Sequence, residues 1–225
     1  MRYLFYFLFF SSVCVAQTQT MELDSDLYKE LKVYDGLSVR LVKGSENKLD
    51  ISGEAAENVT FTLDDGVLKI KMKFKKMFSG FKTFVTLTHT KNFNILDANE
   101  ESNIEVSNSI IQEVLELRAQ EGAQIKAQIQ TDQLIVKTVS GGVISLQGRS
   151  QMQDISINTG GVYKAQNLKT SFTTISVNAG GTADIFASDY VGATVKAGGL
   201  IKVFGDPKKM DEKKFFGGTI ERVKN

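Results

Sequence analysis

Four glycine pairs, Gly141-Gly142, Gly160-Gly161, Gly180-Gly181 and Gly198-Gly199, stand 19, 20 and 18 residues apart. A period this short and regular marks a repeat architecture, because about 20 residues cannot close a core alone and must stack on copies of themselves. Strand-like runs flank each pair. Leu134–Val139, Ile155–Thr159, Ile175–Ala179 and Ala193–Ala197 come before, and Val143–Leu146, Val162–Ala165, Thr182–Ile185 and Leu200–Val203 come after. Two residues past the second glycine stand Ile144, Tyr163, Ala183 and Ile201; four past it stand Leu146, Ala165, Ile185 and Val203. Between them lie Ser145, Lys164, Asp184 and Lys202, all polar. This is the period-two alternation of a strand with one buried face.

Weaker copies precede the pairs. Glu121-Gly122 lies 20 residues before Gly141-Gly142, and Glu101-Ser102 lies a further 20 back. About six coils are read from roughly residue 83 to 205. The expected fold is all-β, a right-handed parallel β-helix-like solenoid with coils of about 19–20 residues and an N-terminal strand-rich cap. Each glycine pair marks a corner, where positive φ or close backbone approach favours glycine. A phosphate-cradling glycine loop would need a following helix, and the sequence writes none.

Residues 31–82 read as separate strands. Leu37–Val42, Leu49–Gly53 and Val59–Leu63 are candidates, and Asp64-Asp65-Gly66 is a hairpin turn leading into Val67–Phe74. They form first coils or a small antiparallel sheet that covers the open solenoid end. At the other end, Pro207 is read as closing the last coil, with residues 206–225 as a tail in which Phe215 and Phe216 fold back as a cap.

The N-terminus reads as a secretory signal. Arg2, an apolar run from Tyr3 to Phe10 and the small residues up to Ala16 place cleavage after residue 16, with residues 17–30 as a linker to a domain spanning 31–220. The apolar run is too short to span a bilayer, so the mature chain is expected to have no transmembrane segment. Cys14 is the one cysteine and leaves with the signal; Ser11-Ser12-Val13 before it is a poor lipidation motif, so anchoring through Cys14 is not expected. The mature chain then has no disulfide framework, and packing alone must hold it. The balance of 27 basic and 26 acidic residues falls to zero once Arg2 is removed, which argues against nucleic acid as a partner.

Little catalytic chemistry is written here. His89 is the sole histidine, which supports neither a Ser-His-Asp triad nor a zinc site. Asp184 and Asp189 lack a third acid in a neighbouring coil, so no paired-carboxylate or calcium site is built. No catalytic, cofactor or metal residue is assigned. One charged feature stands out. Lys69, Lys71, Lys73 and Lys75 alternate with Ile70, Met72 and Phe74, and on a strand they would share one face. Such a row suits an anionic ligand, or it is a solvated face that resists edge-to-edge pairing. Phe74, Met77, Phe78, Phe81 and Phe84 follow as an aromatic-rich stretch, either packed on the solenoid or exposed for contact.

Three elements in this order resemble a bacterial family named for a putative auto-transporter adhesin, the head GIN domain family. Val33-Tyr34-Asp35-Gly36-Leu37-Ser38-Val39 resembles its opening strand and turn, Asp65-Gly66-Val67-Leu68-Lys69-Ile70 its hairpin, and Phe204-Gly205-Asp206-Pro207 its closing element. The likeness spans roughly residues 32 to 220. It implies an exported β-helical protein of a kind common in Bacteroidetes, and it carries no ligand or binding residue over. The expected function is a non-enzymatic envelope binding or adhesin-like module, in the periplasm or at the outer surface, whose partner is a glycan or an envelope protein. A periplasmic assembly factor binding through strand edges is the alternative. A polysaccharide-active β-helix enzyme is a third reading, which an acidic cluster in a groove would revive.

Overall fold

The computed structural model describes residues 19–22 and 28–223. The expected signal segment, its expected cleavage site and Cys14 lie outside these. Seven strands make the N-terminal region: β1 (Gln19–Glu22), β2 (Glu30–Val33), β3 (Ser38–Lys43), β4 (Lys48–Gly53), β5 (Val59–Asp64), β6 (Val67–Met72) and β7 (Thr83–His89). The repeat follows in β8 (Ile95–Ala98), β9 (Asn103–Val106), β10 (Ile110–Gln120), β11 (Gln124–Val139), β12 (Val143–Asn158), β13 (Val162–Asn178), β14 (Thr182–Phe186), β15 (Tyr190–Lys196), β16 (Leu200–Phe204), β17 (Lys209–Phe215) and β18 (Thr219–Arg222).

The protein is a β-solenoid of about seven turns at about 19-residue spacing. Long strands such as β12 wrap both faces. Their first halves stack in face B (β9, β11, β12, β13, β14, β16, β18) and their second halves in face A (β8, β10, β11, β12, β13, β15, β17), all pairing in parallel. The core lies between the faces. One inward column runs Val85, Val39, Ile104, Ile125, Ile144, Tyr163, Ala183, Ile201 and Ile220, each opposite the next and all buried. The small Ala183 beside the bulky Tyr163 keeps the column filled without strain.

Each turn passes from face A to face B through a two-residue corner with both residues left-handed. In the repeat the corners are Glu100-Glu101, Glu121-Gly122, Ser140-Gly141, Thr159-Gly160, Ala179-Gly180, Ala197-Gly198 and Phe216-Gly217, and Asp35-Gly36 makes the same corner between β2 and β3. At the third, Gly142 N–H donates to the Val139 carbonyl at 3.0 Å and closes a four-residue turn with the φ signs of type I′. The paired glycines divide the work. Gly141 has φ +77° and open space where a Cβ would sit. A Cβ on Gly142 would lie 2.1 Å from the Ala119 carbonyl oxygen one coil away. The first glycine is conformational and the second steric.

The N-terminal strands stack out of chain order. β2 and β3 pair with β8 and β9 on one side and with β6 and β7 on the other, so the later coil 67–89 lies outside the earlier one. β5 pairs antiparallel with β6, β4 antiparallel with β7, and β1 antiparallel with β4. These antiparallel strands occupy the edge that another coil would otherwise take.

The C-terminal end differs from its sequence reading. The chain continues past the buried Pro207 into one more coil, β17 and β18, and Phe216 is 92% exposed rather than folded back. Capping falls instead to charge. Opposite the buried Ala193 and Val195, the last coil places Glu212 and Lys214, 3.8 Å apart, where a further coil would need apolar contacts. Inward-facing charge on a terminal strand is a recognised block to stacking. Glu212→Val/Lys214→Val is therefore expected to convert the end into an adhesive surface. Analytical ultracentrifugation should show concentration-dependent association that the parent chain lacks; identical sedimentation would remove the capping role.

Candidate functional site

The outward residues of face B form a ladder that the register makes explicit. Arg40, Glu105, Lys126, Ser145, Lys164, Asp184, Lys202 and Glu221 stand opposite one another in successive coils. Charge sign alternates along it except at Ser145. Cross-strand neighbours lie about 5 Å apart, so alternation is stabilising and a neutral member leaves its flanking cations under-compensated. Glu105 takes Lys126 at 3.3 Å and Arg40 at 4.0 Å, whereas Lys164 makes no ion pair among the described residues.

The chain bulges at the same place. Ser145 opposes Lys164, but Gln147 opposes Asn167, so β13 carries one extra residue there. Bulges bend the strand and re-aim side chains, and they recur beside binding sites. Here a shallow groove of about 540 Å³ opens across the coils, lined by Lys126, Ser145 and Lys164 on one side of the bulge and Gln128, Gln147 and Asn167 on the other. Gln147 Nε2 donates to Gln128 Oε1 at 3.3 Å. The groove thus offers amide donors and acceptors beside two ammonium groups.

Face A commits its charges internally. Lys32 bridges Glu30 (3.2 Å) and Asp97 (3.5 Å), Arg118 bridges Glu30 (3.4 Å) and Glu116 (2.8 Å), and Lys137 reaches Glu116 at 2.8 Å. Burial raises the Asp97 carboxyl above its ordinary range, opposed by the Lys32 and Arg118 charges. The network ties four tiers together and leaves little for a ligand.

His89 is buried, tilted against Phe93, and its Nδ1 lies 2.8 Å from the Lys91 carbonyl. Burial lowers its pKa, which favours the neutral ring and an Nδ1–H that donates to that carbonyl. This is a structural placement. Asp184 faces Lys164 and Lys202 in the ladder, while Asp189 binds Lys208 at 2.6 Å, which lowers its pKa. Among the described residues no group of three His, Cys, Asp or Glu side chains could hold a metal, and no helix is long and apolar enough to cross a membrane.

The lysine row is not one strand face. β6 ends at Met72, so Lys69 and Lys71 share its outer side, Lys73 follows the strand, and Lys75 lies in a 3-10 turn, Phe74–Lys76. The repeat glycines Gly160, Gly161, Gly180, Gly181, Gly198 and Gly199 stand at corners, away from the groove lining. The groove itself was missed by sequence reasoning, although its lysines sit in columns the repeat exposes. Its one signal is the 20-residue spacing from Gly160 to Gly180, where neighbouring intervals are 19 and 18.

The fold has solved relatives. A putative adhesin from Bacteroides fragilis NCTC 9343 superposes with TM-score 0.82 at 19% identity, covering 92% of this chain and 97% of that one. Putative adhesins from Parabacteroides distasonis ATCC 8503 (TM-score 0.73, 19% identity, 93% and 97% covered) and Parabacteroides merdae ATCC 43184 (0.71, 19%, 93% and 96%) share it. No curated protein matches the sequence. The family described as putative auto-transporter adhesin, head GIN domain, matches residues 27–207, and the chain belongs to that family.

Proposed function

We propose that the protein is an exported, non-enzymatic envelope module that binds an anionic glycan along face B. The observation that carries this reading is the groove at the β13 bulge, where Lys164 has no ion partner among the described residues and the Gln128–Gln147 amides lie alongside. Lys126 and Lys164 stand two tiers apart, about 10 Å, a separation on the scale of a sugar disaccharide. A flat, repeating row of donors suits a repeating polymer better than a compact metabolite. Adhesin-like descriptions of the family and its fold relatives agree with a binding role.

Catalysis on the glycan would need two free carboxyls facing each other across the groove. Glu105 is bound by Lys126 and Arg40, and Asp184 lies between two lysines. The strand-edge alternative is weaker, because β17 presents Lys209, Asp211, Glu212, Lys213 and Lys214 along its length, a charge density that opposes strand addition.

The test is titration calorimetry of the purified chain against uronate-containing and neutral oligosaccharides. Binding of the acidic series is expected, weakened about tenfold or more by Lys126→Gln/Lys164→Gln with the melting temperature unchanged. Equal affinity of parent and variant, or no heat from any acidic sugar, would reject the groove as the site.

A further inference from the structure

The corner between β6 and β7 is unlike the others. Where the seven repeat corners use two residues, this one uses residues 73–82. The loop carries Phe74, Met77, Phe78 and Phe81, with exposures of 87%, 42%, 57% and 53%. Single exposed apolar residues are ordinary on a protein surface, but four within eight residues are a patch.

The loop is braced. Asp35 is buried, and its carboxylate accepts from Met72 N–H at 3.0 Å and Phe78 N–H at 3.1 Å. Its carbonyl accepts from Gly80 N–H at 2.9 Å. Lys73 N–H donates to the Asn58 carbonyl at 2.7 Å, and Lys76 N–H closes the 3-10 turn on the Lys73 carbonyl at 2.7 Å. The rings are therefore held outward by a fixed backbone, so their exposure is built in.

Charge surrounds them. Lys69, Lys71, Lys73, Lys75, Lys76 and Lys82 lie in or beside the loop, and no acidic residue occurs between Asp65 and Asp97. Lys82 pairs with Glu54 at 3.0 Å, and Lys73 Nζ donates to the Glu57 carbonyl. Lys69, Lys71, Lys75 and Lys76 form no ion pair among the described residues. Beneath the loop a hollow of about 360 Å³ is lined by Lys69, Lys71, Phe74 and Met77, with Tyr34 and Glu100 at its wall.

Each alternative partner uses half of this arrangement. A soluble anion needs the lysines and leaves the rings bare; an apolar protein surface covers the rings and strands the lysines. A bilayer with anionic headgroups satisfies both, with rings at the acyl boundary and ammonium groups at the phosphates. We propose that the 73–82 loop docks the solenoid onto an anionic phospholipid membrane, inserting Phe74, Met77 and Phe78 among lysines that contact the headgroups. The site is separate from the face B groove.

The chain has no tryptophan, so Phe78→Trp supplies a single tryptophan that can be excited apart from the tyrosines. The full chain carrying F78W is mixed with vesicles of phosphatidylcholine alone or with phosphatidylglycerol. A blue-shifted emission with the anionic vesicles, lost in high salt, is expected. Lys69→Gln/Lys71→Gln/Lys75→Gln/Lys76→Gln should lower partitioning by at least about 100-fold. Phe74→Ser in a cosedimentation assay should lower it without changing the melting temperature, which checks that folding is intact. No shift with anionic vesicles overturns the proposal. So does an equal shift with phosphatidylcholine alone, or full competition by free glycerol phosphate at equal headgroup concentration, which would mark a soluble-anion site.

Discussion

Gly142→Ala is expected to destabilise the protein by about 3 kcal/mol or more, while Gly141→Ala costs about 1–2 kcal/mol. The two glycines are adjacent and look equivalent in the sequence. In the structure, alanine at 141 meets only the penalty of a left-handed L-residue, because a Cβ there has nothing within 4 Å. Alanine at 142 places a methyl 2.1 Å from the Ala119 oxygen and 2.4 Å from its carbonyl carbon. Those are backbone atoms of the neighbouring coil, and they cannot rotate away. Relief requires the coils to separate locally, which stretches the parallel ladder. The same contrast should recur at Gly160 and Gly161, where a second-position Cβ lies 2.5 Å from Thr138 Oγ1 and 2.8 Å from its carbonyl oxygen. Urea denaturation of the four single variants measures it. Equal losses within a pair would refute the division of roles.

This division explains why the repeat could be read from sequence. A corner that needs two left-handed residues and then a residue without a side chain leaves letters behind, and the stacked interior leaves a period of two. Patterning alone nevertheless leaves the last coil looking like a tail, although Gly217-Gly218 follows Gly198-Gly199 by 19 residues. Its inward positions hold Glu212 and Lys214, and charge there erased the alternation that identifies a strand. The N-terminal stacking order is a different case. A coil inserted between later and earlier tiers has the same alternation as one added in sequence, so nothing in residues 30–89 records which neighbour each strand takes. The groove needed the register first. Lys126, Ser145 and Lys164 become a ladder only once Ser145 is known to oppose both, and the bulge beside them shows as a single residue of spacing.

A second inward column, on face A, hides a polar cluster that hydrophobic patterning cannot reveal, and Gln153→Leu is expected to cost about 3 kcal/mol through it. Gln153 is 1% exposed and stands in a column with Leu134 below it and Thr173 above. Its Oε1 accepts from the Tyr163 hydroxyl at 2.8 Å, and its Nε2 donates to Thr173 Oγ1 at 2.9 Å and Thr170 Oγ1 at 3.3 Å. Leucine keeps the volume but strands the phenol in the interior, while Thr170 and Thr173 still bond each other and Thr170 still donates to the Phe186 carbonyl. Tyr163→Phe removes one donor and orphans one acceptor, an expected loss of about 1–2 kcal/mol. The double variant should lose less than the two single losses added, since the phenol that Gln153→Leu strands is then gone. Burial pushes the Tyr163 phenol well above its ordinary value of 10.0. A folded-state pKa raised above the unfolded one gives stability that is whole below about pH 10 and declines as pH rises beyond it. The parent should therefore lose stability above pH 10 more steeply than Tyr163→Phe. Parallel alkaline profiles would mean that burial does not hold the phenol neutral, and strictly additive losses in the double variant would mean that the buried hydroxyl and Gln153 act independently.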